Sequence, residues 1–451
     1  MARMMVWMAT AALAASSLAA PSRQPSSPTD RKPAAAAKSR GPAVPLETLF
    51  GRAAGERFGA PLGLRPEGLL IGANRAVDTA WAQGAVDVFR QRTTVGGIVW
   101  DADNVNLHPD GRYLHDTPNM PPQADSYLGW AMDVDGDTAI VGMRGFDITF
   151  DDGAVLVLER SGAQWRLVQE ITLMDSDGAF IEPRLESDLQ NIGLAGDDLT
   201  TSGWQFGHDV AIHGDLMAVG APYAHVPESP GQNPHEEAGL VLIFNRSSGE
   251  WRYESLLTRD NTNTSEEPAD FDYFGYAVSI FNNLIAIGAP NIEPAGGENN
   301  GHVYLFKRSS PSRWNHIETL YPNTAAYWWD CGHFGWSVDI NGTSVVVGQP
   351  GSNSISSCPP TLPYHSGQGR AWVYESSDGL DWTHETMLFV EFPPLDHPWA
   401  DPDIRPSTGA QYGWSVAISP CHVAVGAPGG DSNFATEEGA TYLWTHLGLG
   451  N

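Results

Sequence analysis

Two sets of residues in this chain have the types and spacing for chemistry. Asp101, Asp103 and Asn104 make a loose acidic cluster, and Asp396, Asp401 and Asp403 make another. Hard carboxylate and amide oxygens at such spacing suit calcium held in a loop, although acidic loops are more often simply solvated. Tyr223, Tyr327, Trp328, Trp329 and Trp399 stand in acidic segments that carry no strand periodicity. Aromatic faces beside carboxylates suit stacking on a sugar or contact with a basic protein surface. The competing expectation is that these rings cover a channel or a neighbouring structural unit. The chain contains no metalloprotease His-Glu-x-x-His, no Gly-x-Ser-x-Gly, no phosphate-binding glycine loop and no zinc-spaced cysteine pair. His235-Glu236-Glu237 and His384-Glu385 stand isolated. The expectation is a binding protein and not an enzyme. No cofactor is required, and calcium is the ion the acidic clusters would take.

The elements that must position these residues form a repeat. Six segments begin with an aromatic-Gly pair or its near equivalent: Phe58-Gly59, Leu128-Gly129, Phe206-Gly207, Phe274-Gly275, Phe334-Gly335 and Tyr412-Gly413. Thirteen positions after each of these glycines comes a second: Gly72, Gly142, Gly220, Gly288, Gly348 and Gly426. Gly220, Gly288 and Gly426 each open a Gly-Ala-Pro triplet. A third glycine (Gly84, Gly153, Gly239, Gly301, Gly369, Gly439) starts an apolar strand, and Trp165, Trp251, Trp314 and Trp382 follow it twelve or thirteen residues on.

Each unit reads as four short strands. In the fourth, Tyr276–Phe281 and Leu284–Gly288 flank an Asn282-Asn283 turn, and Gly301–Lys307 and Trp314–Leu320 complete the set. Gly136-Asp137, Gly214-Asp215 and Gly342-Thr343 occupy the same turn, with residues that tolerate positive φ. Strands such as Val345-Val346-Val347 are apolar on both faces, which fits a sheet packed between neighbours, while Val303–Phe306 alternates more clearly. A four-stranded unit cannot bury two faces alone, and packing units round an axis does so. The expected fold is therefore all-β, a β-propeller of six four-stranded blades over residues 44–451, with a degenerate seventh as the alternative. The sixth repeat runs out after its third strand, so Val44–Phe50 is expected to close the ring as a strand from the other terminus. The first repeat departs most, with Pro61 in its first strand and Trp100 four residues late.

The run from Phe274-Gly275-Tyr276 to Gly288-Ala289-Pro290 resembles the FG-GAP repeat, whose family forms β-propellers such as the head of integrin α-subunits. The resemblance implies extracellular recognition of a protein or glycan, including cell adhesion. Integrin-type repeats often hold calcium in a long Asp-rich loop between the first two strands. Asp133-Val134-Asp135-Gly136-Asp137 has similar Asp spacing, but here that connection is a two-residue turn, which looks like the short-turn version of the repeat.

Composition narrows the partners. With 54 Asp and Glu against 25 Lys and Arg, the net charge is −29, which repels nucleic acid and anionic lipid. Arg3 followed by the apolar run Met4–Leu18 and small residues reads as a signal peptide over 1–20, too short for a spanning helix. Residues 21–43, rich in Pro, Ala and Ser, read as a linker. Export places the protein outside the cell or at its surface, where Cys331 and Cys358 of one repeat could pair. Arg160, Arg246 and Arg308 recur beside the turn between strands three and four, giving that face more positive charge, whereas the long acidic loops share the opposite face. The preferred reading is a propeller binding an extracellular protein or glycan through those loops. Its alternatives are an exported polysaccharide hydrolase or lyase and a structural surface protein. Carboxylates with raised pKa at the channel mouth would favour the enzyme, and an aromatic platform would favour binding.

Overall fold

The structure is a computed structural model. It describes the backbone of 58–64, 68–73, 85–94, 97–102 and 112–113, and then most of 125–147, 152–194, 200–227, 233–261, 268–292, 301–321, 332–351, 369–388, 411–427 and 440–445. Val44–Phe50, the cysteines, and the signal and linker segments lie outside the described residues.

The repeats fold as separate antiparallel sheets in which consecutive strands are neighbours. Phe58–Leu64, Gly68–Ala73, Val86–Thr94 and Gly97–Ala102 form the first, with Arg112–Tyr113 added beside its third strand. The second comprises Met132–Asp135, Thr138–Met143, Ala154–Ser161 and Gln164–Ile171. Val210–His213, Leu216–Ala221, Leu240–Ser247 and Glu250–Leu257 make the third, and Ala277–Phe281, Leu284–Ala289, His302–Ser310 and Arg313–Leu320 the fourth. The fifth has Ser337–Asn341, Ser344–Gln349, Arg370–Glu375 and His384–Leu388. Among the described residues the sixth repeat has three strands, Ser415–Ile418, His422–Ala427 and Ala440–Thr445. The expectation of six four-stranded blades is thus corrected to five. Pro61 sits at an irregularity in the pairing of Phe58–Leu64 with Gly68–Ala73, because proline has no N–H to give the ladder.

First strands of successive sheets lie side by side, from Phe58–Leu64 to Ser415–Ile418, which makes this an all-β propeller with those strands innermost. Between the first two strands, Gly136, Gly214, Asn282 and Gly342 all have positive φ, as a tight hairpin turn requires. The core is a series of layers between sheets. Val241 and Ile243 of the third sheet pack with Phe274, Val278, Ile285 and Ile287 of the fourth. Val303 and Leu305 of the fourth pack in turn with Phe334, Val345 and Val347 of the fifth. Third strands are consequently buried on both faces, and Val303–Phe306 does not alternate as its residues suggest.

The repeat glycines set how closely sheets approach. A Cβ on Gly142, Gly220, Gly288 or Gly348 would fall well inside contact distance of the carbonyl oxygen of Gly207, Gly275, Gly335 or Gly413 in the next repeat. One on Gly153, Gly239, Gly301 or Gly369 would meet the carbonyl of Phe206, Phe274, Phe334 or Tyr412. Those aromatic side chains are essentially fully buried.

The inter-blade segment 175–203, read from sequence as loop, carries the helix Pro183–Asn191. Its Leu185 and Leu189 enter the core, and Tyr253 Oη donates to Asp188 at 2.9 Å. The expected positive face is neutralised. Arg160 pairs with Asp137 at 3.1 Å, Arg246 with Asp215 at 3.0 Å and Glu159 at 3.3 Å, and Arg308 with the buried Glu254 of the preceding sheet. Among the described residues no helix is long and apolar enough to cross a membrane.

Substituting Gly288→Ala should destabilise the protein by about 3 kcal/mol or more, because backbone must move to admit the methyl. Gly214→Ala, where nothing lies within 4 Å, should cost only the left-handed strain of about 1–2 kcal/mol. Denaturant unfolding of both variants checks the ordering, and equal losses would contradict the close-approach account.

Candidate functional site at the propeller mouth

The second to sixth repeats enter their innermost strands through the same turn. Trp130 N–H donates to Tyr127 O, His208 to Gln205, Tyr276 to Tyr273, Trp336 to His333 and Trp414 to Gln411, all at 3.0–3.1 Å. The glycine between, Gly129, Gly207, Gly275, Gly335 or Gly413, has φ from 79° to 92°. A residue with φ near +80° one place before the end of a hydrogen-bonded four-residue turn is the type II signature. The turn sends the Phe, Leu or Tyr before the glycine into the inter-sheet core and the residue after it toward the axis.

That last residue is Trp130, His208, Tyr276, Trp336 or Trp414, and the five rings touch in series. Ring centroids are 5.9 Å apart for Trp130–His208, 4.5 Å for His208–Tyr276, 4.7 Å for Tyr276–Trp336 and 4.8 Å for Trp336–Trp414. Interplanar angles of 45–53° make a tilted series rather than a stack. His208 is buried, Trp130, Tyr276 and Trp336 are half-buried, and Trp414 is 40 % exposed. The series is a floor across the mouth, at the end of the disc that also carries the loops between strands two and three.

A rim surrounds this floor. The residues that open the turns, Tyr127, Gln205, Tyr273, His333 and Gln411, all have φ between 52° and 55°, uncommon for residues other than glycine. Tyr127 packs on Trp130, His333 on Trp336 and Tyr273 on both Tyr276 and Tyr223. Burial raises the Tyr223, Tyr273 and Tyr276 hydroxyls above the ordinary range, so all three are neutral donors, and Tyr273 hydrogen-bonds Glu237. The Arg144 guanidinium lies 3.7 Å from the Trp130 ring centroid and 5.2 Å from that of Tyr127. It also donates to Gln205 Oε1. Burial, reinforced by Arg144, pushes His208 down to about 3, so its imidazole is neutral.

Below the floor are half-buried carboxylates on or beside the innermost strands. Asp133 accepts Val134 N–H at 2.7 Å and, across to the next sheet, Ile212 N–H at 2.8 Å. Asp209 likewise accepts Val210 at 3.0 Å and Val278 at 2.7 Å, and Asp339 accepts Ile340 and Ile418, both at 2.8 Å. Ser279 Oγ adds a bond to Asp339 at 3.0 Å. These groups tie neighbouring sheets together. Burial, opposed by the backbone donors and reinforced by mutual repulsion, pushes Asp209 up to about 7 and Asp339 to about 6, and raises Asp133.

Of the residues singled out from sequence, Tyr223 stands on the rim, packed on His208 at 5.9 Å and Tyr273 at 5.2 Å. Tyr327, Trp328, Trp329, Trp399, Asp103, Asp396, Asp401 and Asp403 lie outside the described residues. Asp101, expected in a loop, is in the strand Gly97–Ala102, paired in register with Arg90. Asp135, beside Asp133, accepts Gly214 N–H at 2.6 Å. Among the described residues no cluster of three His, Cys, Asp or Glu could hold a metal ion. Sequence reasoning missed the floor because the residue after the aromatic-Gly pair was counted as the start of a strand. Its signal was present, with Trp, His, Tyr, Trp and Trp at one position in five of six repeats and Ala60 in the first.

Comparison with known proteins agrees with the repeat. The FG-GAP repeat family matches residues 262–306, the stretch from the approach to Phe274-Gly275 into the third strand of the fourth sheet. The chain is a β-propeller that carries an FG-GAP repeat. No curated protein matches it. Among solved structures, the periplasmic gluconolactonase PpgL of Pseudomonas aeruginosa aligns over 86% of this chain and 88% of its own, at 13% identity and a TM-score of 0.41. The expectation of a chain that is not an enzyme is corrected here, since a protein with an enzyme's description is found among its structural neighbours. That similarity leaves the chemistry to this chain's own residues.

The carboxylates make a pH prediction. Asp209 titrates near 7 when folded and near 3.8 when unfolded, so between these values the folded state holds the extra proton. Its stabilisation is full below the lower value and is lost as pH rises through the upper. The melting temperature should fall between about pH 5 and about pH 8, and fall less in Asp209→Asn. Thermal unfolding at matched ionic strength measures both slopes, and identical slopes would refute the assignment.

Proposed function

We propose that this chain is an exported β-propeller that binds an extracellular glycan at the mouth floored by Trp130, His208, Tyr276, Trp336 and Trp414. The observation that carries the reading is the contiguous, partly exposed series of rings held by five identical turns. Sugars present flat C–H faces that pack on aromatic rings, and their hydroxyls need donors and acceptors at the edge. Tyr127, Tyr223, Tyr273, Gln205 and Glu237 supply these at the rim. Stacking and hydrogen bonding of this kind need no cofactor. Export rests on residues 1–20, and the net charge of −29 argues against nucleic acid as the partner.

A second reading, hydrolysis of the bound glycan, is favoured by Asp209, whose raised pKa of about 7 suits a general acid directly following His208 of the floor. Its present partners are backbone N–H groups of two sheets, so this role needs Asp209 to release one of them.

A glycan array with purified full-length protein, followed by calorimetric titration of each hit, tests both readings. Saturable binding is expected, and Trp414→Ala should weaken it by roughly threefold to tenfold for the loss of one ring contact. New reducing ends in the titrated sample, abolished in Asp209→Asn, would establish the hydrolase. Absence of any bound glycan would overturn the proposal.

A further inference from the structure

The floor is uniform in character, but the charge around it is not. In the third repeat the approach to the strand Leu240–Ser247 carries His235-Glu236-Glu237. The segment leading into Phe274-Gly275 lies along it. Phe271 N–H donates to Glu236 O at 2.7 Å, and Tyr273 N–H to Glu237 O at 3.2 Å. The acids on these two segments are not equivalent. Asp272 is buried against Arg259 at 2.6 Å. Asp270 lies 3.0 Å from His235 Nδ1 and also accepts Glu236 N–H at 3.0 Å. Glu237 is half-buried, and among the described residues no cation pairs with it. Its carboxylate is met by the Tyr273 hydroxyl.

Aromatic rings surround that carboxylate. Tyr273 packs on Tyr223 at 5.2 Å and on Tyr276 at 6.4 Å, and Tyr223 packs on His208 at 5.9 Å. Ring faces are the negative side of the aromatic quadrupole and attract cations. The fold already uses this property once, because the Arg144 guanidinium lies 3.7 Å from the Trp130 ring centroid. That arginine is engaged there, and it also donates to Gln205. Its field reaches Tyr223 and Tyr276, whereas at Tyr273 the acting charge is that of Glu237. The mouth therefore has a negative end at Tyr273.

We infer that the ligand is an amino glycan, with a protonated sugar amine seated between Glu237 and Tyr273 and its pyranose ring on Tyr276. This rests on the glycan reading above and narrows it. An ammonium group has three N–H donors and no acceptor, so it is satisfied by oxygens and ring faces alone. Glu237 supplies the opposite charge. Burial keeps the Tyr223 and Tyr273 phenols protonated, so Tyr273 can donate to Glu237 and accept from the amine at once. A neutral sugar hydroxyl at that place makes only an ordinary hydrogen bond, and a uronate meets like charge. The net charge of −29 attracts any cation, but surface charges are largely screened beyond about 8 Å in physiological salt. The general field brings the amine close, and Glu237 fixes where it sits.

The test is calorimetric titration of the full-length protein with the glucosamine trisaccharide of chitosan and with cellotriose. These sugars share one linkage and differ only in that an ammonium replaces one hydroxyl of each ring at mildly acidic pH. Wild type should bind the amino sugar about tenfold or more tightly, the contribution of a charge-assisted bond. Glu237→Gln should bring the two affinities within about twofold of each other. Glu236→Gln removes the same charge one residue away and should leave the preference intact. Equal binding of the two sugars by wild type would overturn the inference and leave the glycan reading standing. A preference unchanged in Glu237→Gln, or lost equally in Glu236→Gln, would do the same, since it would belong to the general field. Binding of neither probe overturns the inference as well, and the array above then tells whether the glycan reading falls with it. Thermal unfolding confirms that each variant is folded. Should Glu237→Gln not fold, the wild-type pair repeated in about 0.5 M salt decides, because a contact pair at a half-buried carboxylate outlasts the general field there. A preference that vanishes in that salt overturns the inference.

Discussion

Backbone-to-backbone contact between sheets is the constraint on which this molecule depends. In four repeats the second glycine, Gly142, Gly220, Gly288 or Gly348, lies against the carbonyl of the first glycine in the next repeat. No other residue fits there, because a side chain would need the space that the neighbouring main chain occupies. The contact sets the distance between innermost strands, and the layers of Val, Ile and Phe outside it fill the wedge that opens with distance from the axis. The third glycine repeats the device against the carbonyl of the buried aromatic. The FG-GAP pattern is thus a record of where two backbones meet.

The same contact explains why a binding surface can exist at the mouth. The first glycine serves two purposes: it lets the next blade approach, and at φ near +80° it completes a type II turn. Because the turn is identical in five blades, the residue that follows arrives at the same height and angle each time. Aromatic residues there must meet round the axis. Their order of contact is dictated by blade order, and variation among Trp, His and Tyr changes the surface without disturbing the frame. Left-handed φ values at Tyr127, Gln205, Tyr273, His333 and Gln411 show the backbone accepting strain at the same place in every turn.

Charge divides by depth. The arginines near the opposite end of the blades, Arg160, Arg246 and Arg308, spend their charge on neighbouring carboxylates and fasten strands and sheets. Asp133, Asp209 and Asp339 do the same in the channel through backbone N–H groups of the adjacent innermost strand. Arg144 differs in place: it lies on the Trp130 ring at the mouth and donates to Gln205 of the next repeat. Asp209 joins the two roles, since burial that suits a strut also raises its pKa into the range useful for acid–base chemistry.

Much of the frame was legible in the chain, because glycine spacing, apolar runs and two-residue turns are local consequences of backbone sterics. The four strands of the fourth repeat, Ala277–Phe281 to Arg313–Leu320, differ from the sequence reading by at most three residues at any end. Loops were less legible, as the helix Pro183–Asn191 shows, since its Leu185 and Leu189 have meaning only against the core they enter. The site was hardly legible at all. Trp130, His208, Tyr276, Trp336 and Trp414 are each about 60–80 residues from the next in sequence, and nothing local distinguishes a ring that faces an axis from one that starts a strand. The sequence by itself determined the repeat, its turns and its glycine contacts. Only the closing of blades round an axis decided that one position of the repeat becomes a continuous aromatic floor, because side chains so far apart along the chain meet only after the sheets have packed.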